Sequence, residues 1–119
     1  MPVLLNNISV YFLSLVCVLA ISVGQIVFKL ASIELDNSGN FFSFKVILYV
    51  FFALILYGLS SIAWIYLLQK IELSKMYPLM ALAFVFVPLF SFLVLNEKIS
   101  LTSMLGSIII IVGVYVASM

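Results

Sequence analysis

Long apolar stretches separated by short polar ones dominate the pattern along this chain. A helix needs about 20 apolar residues to cross the hydrocarbon core of a bilayer, and four stretches approach that length. They cover residues 8–30, 46–69, 76–96 and 99–118. None of them alternates polar and apolar residues as a barrel strand does, so we predict that all four are membrane-spanning helices.

The polar segments between these stretches predict the connections. Residues 32–40 (SIELDNSGN) interrupt the first run with two acids and several turn-forming residues, and residues 70–75 (KIELSK) and 96–100 (NEKIS) form short charged turns. Short connections make consecutive helices antiparallel neighbours, and an even number of spans puts both termini on one side. The predicted fold class is therefore an all-α membrane protein, with one four-helix domain over residues 1–119.

Composition supports a lipid environment and excludes several functions. The chain is 67% hydrophobic and 8% charged, whereas soluble domains are about 25% charged. Its net charge of +1 comes from five lysines and four acids, without arginine or histidine, so we expect no nucleic-acid partner and no histidine chemistry. Cys17 is interpreted as a small buried apolar residue. We expect no cofactor and no enzymatic activity, because no nucleophile–base pair or metal cluster is present.

The lysines encode the orientation of the chain weakly. Lys70 and Lys75 lie on one predicted side of the membrane, and Lys45 and Lys98 lie on the other, with Lys29 near the edge. The positive-inside rule requires a clear excess of lysine and arginine on one side. Either the topology is weakly set or both orientations occur.

The segment SVGQIVFKL, residues 22–30, places polar side chains in the first predicted span. At about 100° per residue, the stripe falls within about 80° of one helix face. Its members are Ser14, Ser22, Gln25, Lys29 and Ser32. Polar residues inside a membrane tend to face a bundle interior or a cavity and to mark substrate paths. We therefore predict that Ser22, Gln25 and Lys29 bind substrate, with Lys29 in an internal groove. The alternative is that Lys29 extends to the interface while Gln25 hydrogen-bonds a neighbouring helix.

The one charged residue on this stripe, Lys29, favours an anionic ligand. Lysine is a cation with three donors and no acceptor, and it suits a phosphate or carboxylate better than a cationic drug. Proton coupling usually uses a carboxylate within the membrane. All four acids of this chain lie in or beside predicted loops: Glu34, Asp36, Glu72 and Glu97.

Small residues on the last predicted span suggest a contact between helices. Gly106 and Gly113 lie seven residues apart, and Ser103 is near the same face. Small residues at such spacing let helix backbones approach closely. We predict that these three residues form a dimer interface, with packing inside the subunit as the alternative.

Four spans in a chain of this length resemble the small four-helix branch of the drug/metabolite transporter superfamily, which includes the small multidrug resistance proteins. Gly24, five residues before Lys29, fits this resemblance. Two positions depart from it, because Ile21 stands where the multidrug relatives carry an essential glutamate, and Met80 stands where they carry a tryptophan. Proton-coupled cation export by the usual mechanism is therefore not expected.

Four segments are similar to the flippase subunits for undecaprenyl-phosphate-linked aminoarabinose: GQIVFK (24–29), GLSSIAWIYLLQ (58–69), YPLMALAFVFV (77–87) and NEKIS (96–100). The matching positions are Gly24, Gln25, Lys29, Trp64, Gln69, Tyr77, Pro78 and Glu97. The resemblance implies movement of a polyprenyl-phosphate-linked sugar, or a similar anionic lipid, across the bacterial inner membrane. It adds Trp64, Tyr77 and Glu97 to the predicted substrate-binding residues, and it implies a homodimer or a heterodimer with a paralogous subunit.

Two other functions compete with this interpretation. The first is a transporter of small molecules of the small multidrug resistance type, which the lack of a deep carboxylate disfavours. The second is a non-transporting accessory membrane protein, which the polar stripe on the first span disfavours.

Overall fold

The computed structural model describes the backbone of residues 2–119 and the side chains of residues 8–119. Over that part the chain is helical and contains no strand, which confirms the predicted all-helical class. The helices are α1 (Pro2–Ser38), α2 (Phe44–Leu68), α3 (Leu73–Met80), α4 (Ala83–Leu95) and α5 (Leu101–Ala117). Among the described residues, three apolar helical segments are long enough to cross a bilayer: Ile8–Ser38, Phe44–Leu68 and Leu73–Leu95. Helix α5 is a shorter apolar helix. Because it has several helices of spanning length, the chain is a multi-pass membrane protein.

Helix α1 extends through most of the segment 32–40, which the sequence predicts to be a turn. It continues to Ser38. The polar side chains of this segment are mostly exposed, so they are compatible with a helical backbone at the membrane surface. Gly39 ends the helix with a φ of +68°, and its N–H donates to the Leu35 carbonyl at 2.7 Å. Glycine adopts this left-handed conformation without a steric penalty. Ser43 then caps α2, and its hydroxyl oxygen accepts a hydrogen bond from the Val46 N–H at 3.4 Å.

The apolar run predicted as a single third helix contains a turn. Helix α3 begins at Leu73, and Ala81 and Leu82 separate it from α4. Around the turn the backbone bonds have the tighter i→i+3 spacing, with Leu82 N–H donating to the Leu79 carbonyl at 3.1 Å and Val85 N–H to the Leu82 carbonyl at 2.9 Å. Such bonds tighten a helix locally. Helices α3 and α4 therefore remain parts of one apolar segment of 23 residues.

The α1–α2 hairpin carries the most extensive packing in the molecule. Each helix buries every seventh residue along one line; these residues are Val10, Cys17, Gly24 and Ala31 on α1 and Val46, Ala53, Ser60 and Leu67 on α2. A repeat of seven keeps one seam of each helix facing its partner, and small residues let the backbones approach. The thiol of Cys17 lies 3.9 Å from the Ser60 carbonyl oxygen, which confirms that this cysteine is a small buried packing residue.

Helix α1 occupies the centre of the arrangement, and α5 lies at its edge. Helix α1 contacts α2, α3 and α4, whereas α5 rests lightly on α3 and α4. No residue of α5 is buried. The molecule measures 54 × 35 × 19 Å, so its thickness is that of about two helices. This flat shape leaves the polar end of α1 and the whole length of α5 accessible.

Candidate functional site

Lys29 lines an open cavity near the C-terminal end of α1. The cavity has a volume of about 580 Å³, and its lining includes Ser32 and Asp36 from α1 and Gly39 and Phe41 from the following loop. The three polar residues lie on one helix face, because their spacing of three and four residues follows the helical repeat. All three are exposed. The cavity thus presents an ammonium, a hydroxyl and a carboxylate that can hydrogen-bond a polar ligand.

Gln25, one turn before Lys29, contacts the neighbouring helix. Its side-chain amide donates a hydrogen bond to the phenol oxygen of Tyr57 on α2. The Tyr57 ring stacks on Phe28, with ring centroids 5.5 Å apart and planes inclined by 23°. A Cβ atom at Gly24 would lie 2.8 Å from Tyr57 Cε2, so any larger residue there would displace this ring. Gln25 therefore makes an interhelical hydrogen bond, as one part of the alternative prediction has it. Its role in binding substrate stays a prediction.

Tyr57 is the residue of this cluster that the sequence analysis missed. It lies half-buried in an apolar run, and a tyrosine hydroxyl withdrawn from water usually finds a hydrogen-bond partner. In an antiparallel hairpin, residues equally far from the turn lie at the same depth. Gln25 and Tyr57 are equally distant along the chain from Phe41 in the connecting loop, and this symmetry could have identified the pair.

The predicted polar stripe divides into a buried part and an exposed part. Ser22 is fully buried, and its hydroxyl donates to the Val18 carbonyl of the same helix at 2.8 Å. Ser14 is also buried and donates to the Tyr11 carbonyl at 2.7 Å. Such bonds to the preceding turn satisfy a serine hydroxyl within its own helix. Ser22 does not line the cavity that contains Lys29, and its substrate-binding role stays a prediction.

The three residues added by the resemblance lie apart from the Lys29 cavity. Trp64 packs against the core cluster that contains Cys17. Cys17 and Lys29 are separated by about 18 Å along the axis of α1, at 1.5 Å per residue. Tyr77 on α3 is 65% exposed. Glu97 accepts a hydrogen bond from the Ser91 hydroxyl and lines a separate cavity of about 230 Å³. Their roles in binding substrate stay predictions.

Glu97 reaches Ser91 because the backbone reverses at the end of α4. Asn96 has a left-handed conformation with a φ of 57°, and the Glu97 N–H donates to the Ser91 carbonyl at 3.4 Å. Asparagine tolerates this conformation better than most residues. The sequence places this acid in a loop, whereas the structure directs its carboxylate back onto the last turns of a membrane helix.

The predicted interface residues on α5 are accessible. A Cβ atom added at Gly106 or at Gly113 would meet nothing within 4 Å. Ser103 is exposed, and its backbone N–H donates to the hydroxyl of the capping residue Ser100 at 3.1 Å. Among the residues whose side chains the structure describes, the two glycines therefore have no close helix contact, and the dimer interface stays a prediction.

A model of the EamA-like transporter family matches residues 1–119. The chain belongs to the EamA-like transporter family. The chain is similar to ArnE of Proteus mirabilis, which is named a probable 4-amino-4-deoxy-L-arabinose-phosphoundecaprenol flippase subunit. The two are 28% identical over 109 residues, which are 92% of this chain and 96% of that protein. No solved structure matches the chain.

Two further relatives match over shorter regions. The corresponding subunit ArnF of Proteus mirabilis is 38% identical over 71 residues, which are 58% of this chain and 53% of that protein. ArnE of Pseudomonas aeruginosa is 37% identical over 62 residues, which are 52% of this chain and 54% of that protein. In these two cases the chain spans about half the length of the relative. The comparisons confirm the resemblance drawn from the four motifs, and they identify this EamA-like chain as a membrane transport protein.

Proposed function

We propose that this EamA-like protein is a flippase subunit that moves a polyprenyl-phosphate-linked sugar, or a similar anionic lipid, across the bacterial inner membrane. The observation that carries the proposal is the exposure of Lys29 in an open cavity at the end of an apolar helix. An ammonium in that position can bind a lipid phosphate while the lipid tail stays in the membrane. The names of the relatives support this substrate class, because they describe flippase subunits for a phosphoundecaprenol-linked amino sugar.

We also infer that the chain crosses the membrane four times, with both termini on one side. The segments Ile8–Ser38, Phe44–Leu68 and Leu73–Leu95 supply three spans. Helix α5 has 17 residues, so it is about 26 Å long, close to the lower limit for a span. In this proposal, the parts of the single domain that lie inside the membrane are residues 8–30, 46–69, 76–96 and 99–118, and the helices extend beyond some of these bounds.

A second chain completes the transporter in this proposal. Alternating access usually opposes two repeats around a site near the midplane, and this chain is one four-helix unit. Ser103, Gly106 and Gly113 offer an accessible face of small residues on α5. The partner is either a second copy of this chain or a paralogous subunit.

A reconstituted transport assay tests the proposed function. The purified chain, alone and with a paralogous subunit, is placed in liposomes that carry undecaprenyl phosphate bearing an amino sugar. A membrane-impermeant amine reagent then measures how quickly the lipid reaches the outer leaflet. We expect wild-type protein to accelerate this movement and Lys29→Ala to lose most of the effect. Lys29→Arg should recover part of it, because guanidinium keeps the charge with a different geometry.

Lys45→Ala is the matched control. Lys45 is also an exposed lysine, in the first turn of α2, but it does not line the cavity. Loss of transport in both lysine variants would show that general positive charge, not the cavity, supports the activity. Absence of lipid movement with either partner arrangement would contradict the flippase proposal and favour a non-transporting accessory role.

A second assay separates this function from multidrug transport. We expect no robust proton-coupled export of ethidium by the purified protein. Ile21, which is half-buried on α1, stands where the small multidrug resistance proteins carry glutamate. Strong ethidium export driven by a pH gradient would overturn the assignment to an anionic lipid.

A further inference from the structure

The hydrogen bond between Gln25 and Tyr57 lies near the middle of the hairpin. Tyr57 follows Phe44, the first residue of α2, by 13 residues and precedes Leu68, the last residue, by 11. It therefore lies about 1.5 Å from the centre of a helix that is long enough to span a bilayer. Lys29 is about 6 Å closer to the membrane face at the α1–α2 loop, because it follows Gln25 by four residues.

The Gln25–Tyr57 pair has more hydrogen-bond donors than its own bond uses. A glutamine amide has two N–H donors and a tyrosine hydroxyl has one O–H donor, so the pair has three. The bond between the two side chains uses one of them, and within residues 8–119 these side chains make no other hydrogen bond. Two donors remain, on an exposed glutamine and a half-buried tyrosine.

The buried serines of the same helix have no such surplus. Ser14 and Ser22 each have a single O–H donor, and each donates it to a carbonyl of α1. A donor without an acceptor costs free energy in an apolar medium, and polar groups inside a membrane mark substrate paths. The unused donors of Gln25 and Tyr57 therefore indicate that a polar ligand passes this point.

We propose that the Gln25 amide and the Tyr57 hydroxyl form a second binding position for the phosphate oxygens of the transported lipid, one helical turn deeper in the membrane than Lys29. This inference rests on the proposed function, because a flippase must move a charged headgroup past the midplane, where water is absent. Two separate donor groups can hydrogen-bond the phosphate there without a further cation in the membrane, which would be costly. Gly24 permits the arrangement, since it lets the Tyr57 ring lie against α1.

The two positions have different roles in this proposal. The Lys29 ammonium binds the phosphate at the membrane face, whereas the amide and the hydroxyl bind it only during the crossing. An interaction that forms only during the slow step raises the maximal rate and leaves the initial binding unchanged. Tyr57 is thus a substrate-binding residue that lies outside the lining of the Lys29 cavity.

Kinetic measurements separate these roles. The lipid movement assay proposed above is run at increasing lipid content, so that the maximal rate and the half-saturating lipid content are measured separately. Tyr57→Phe removes the O–H donor and keeps the ring that stacks on Phe28. We expect it to lower the maximal rate about fivefold, and Gln25→Leu combined with Tyr57→Phe to lower it at least about thirtyfold, because the double variant removes every donor of the pair. Both variants should keep the wild-type half-saturating content, which Lys29→Ala should raise.

Tyr49→Phe is the matched control. Tyr49 is another half-buried tyrosine of α2, and it lies about 12 Å from Tyr57 along the helix axis. We expect its kinetics to match the wild type. All rates are expressed per folded protein, determined by circular dichroism, so a purely structural role of the Gln25–Tyr57 bond would leave them unchanged.

Each result decides a different statement. If wild-type protein moves the lipid and Tyr57→Phe has the same maximal rate as Tyr49→Phe, the second position is overturned and the proposed function stands. If wild-type protein moves no lipid, the proposed function fails and this inference fails with it. Liposomes loaded with radioactive inorganic phosphate identify the source of the phosphate group. We expect no protein-dependent release, and a release that Tyr57→Phe abolishes would overturn the lipid as the ligand.

Discussion

The α1–α2 hairpin and helix α5 both place small residues seven positions apart, but only the hairpin uses them. Gly24 lies in the buried seam of α1, and a Cβ atom there would come within 2.8 Å of Tyr57. In the described part of the chain, nothing lies within 4 Å of a Cβ atom added at Gly106 or Gly113 on α5. In lipid, apolar burial does not distinguish the two regions, because the tails are as apolar as leucine, and close packing decides which helices associate. The small residues of the hairpin contact a helix of the same chain, whereas the small residues of α5 remain accessible to another chain.

This difference explains why a spacing pattern alone does not identify an oligomer interface. The same pattern of small residues marks an internal seam in α1 and an accessible face in α5. What separates them is whether another helix of the same chain covers that face. Helix α5 follows α4 through the short segment at residues 96–100 and makes few contacts with the rest of the molecule. The proposed second chain would give α5 the packing partner that α2 gives to α1.

The largest expected effect is the substitution Gly24→Leu. The added side chain meets the Tyr57 ring, which is held by its hydrogen bond to Gln25 and by its stacking on Phe28. Overpacking of this kind costs about 1–3 kcal/mol, so we expect the free energy of unfolding to fall by about that amount. Unfolding of the purified protein in mixed detergent micelles, followed by circular dichroism against the fraction of dodecyl sulfate, measures the change.

Gly58→Leu is the control for this prediction. Gly58 follows Tyr57 on α2, and an added Cβ there meets nothing within 4 Å. We expect its unfolding curve to match the wild type or to shift slightly towards higher stability, because leucine favours helix over glycine. Equal destabilisation by both substitutions would mean that the hairpin seam is not specifically packed at Gly24.

The next effect concerns association and not folding. In the proposed dimer, Gly106→Leu combined with Gly113→Leu should weaken self-association or pairing with a paralogue, because bulk prevents close backbone approach. The unfolding of the single chain should hardly change, since both positions face open space. The mass of the protein in detergent, measured by light scattering, and energy transfer between labelled chains in liposomes report association directly.

Ile108→Phe adds bulk to the opposite face of α5 and serves as the control. Ile108 is 57% exposed, and at about 100° per residue it points away from the glycine face. We expect this variant to associate like the wild type. An active wild-type monomer, or a double glycine variant that still pairs and transports, would exclude α5 as the interface.

The sequence predicts the helices well because the bilayer imposes their length and apolar character. It also predicts an antiparallel hairpin from the short connection between the first two runs. It does not predict where α1 ends, since exposed polar residues can extend a helix beyond its apolar part and Gly39 determines the end by its left-handed backbone. The turn at Ala81 and Leu82 was also missed, because no polar residue interrupts the apolar run there.

The candidate site was predicted in part for a similar reason. A helical stripe identifies which residues share a face, and it correctly groups Lys29 with Ser32, which line one cavity. It gives no information about which part of that face a neighbouring helix covers, so it could not separate the buried Ser22 from the exposed Lys29. The sequence places Asp36 in or beside a loop, and its position on the same helix face follows only from the extension of α1.

The smallest expected effect is the loss of the polar contact inside the hairpin. Tyr57→Phe removes the hydroxyl that accepts from Gln25 and keeps the ring stacked on Phe28. Hydrogen bonds between membrane helices contribute about 0.6 kcal/mol on average and about 1.7 kcal/mol at most, so we expect a loss in that range. Tyr115→Phe on α5 is the control, because Tyr115 is 69% exposed and lies outside the hairpin. A double-mutant cycle with Gln25→Leu isolates the pair. A coupling energy indistinguishable from zero would show that the amide and the phenol act independently, and that packing at Gly24 alone distinguishes the hairpin from α5.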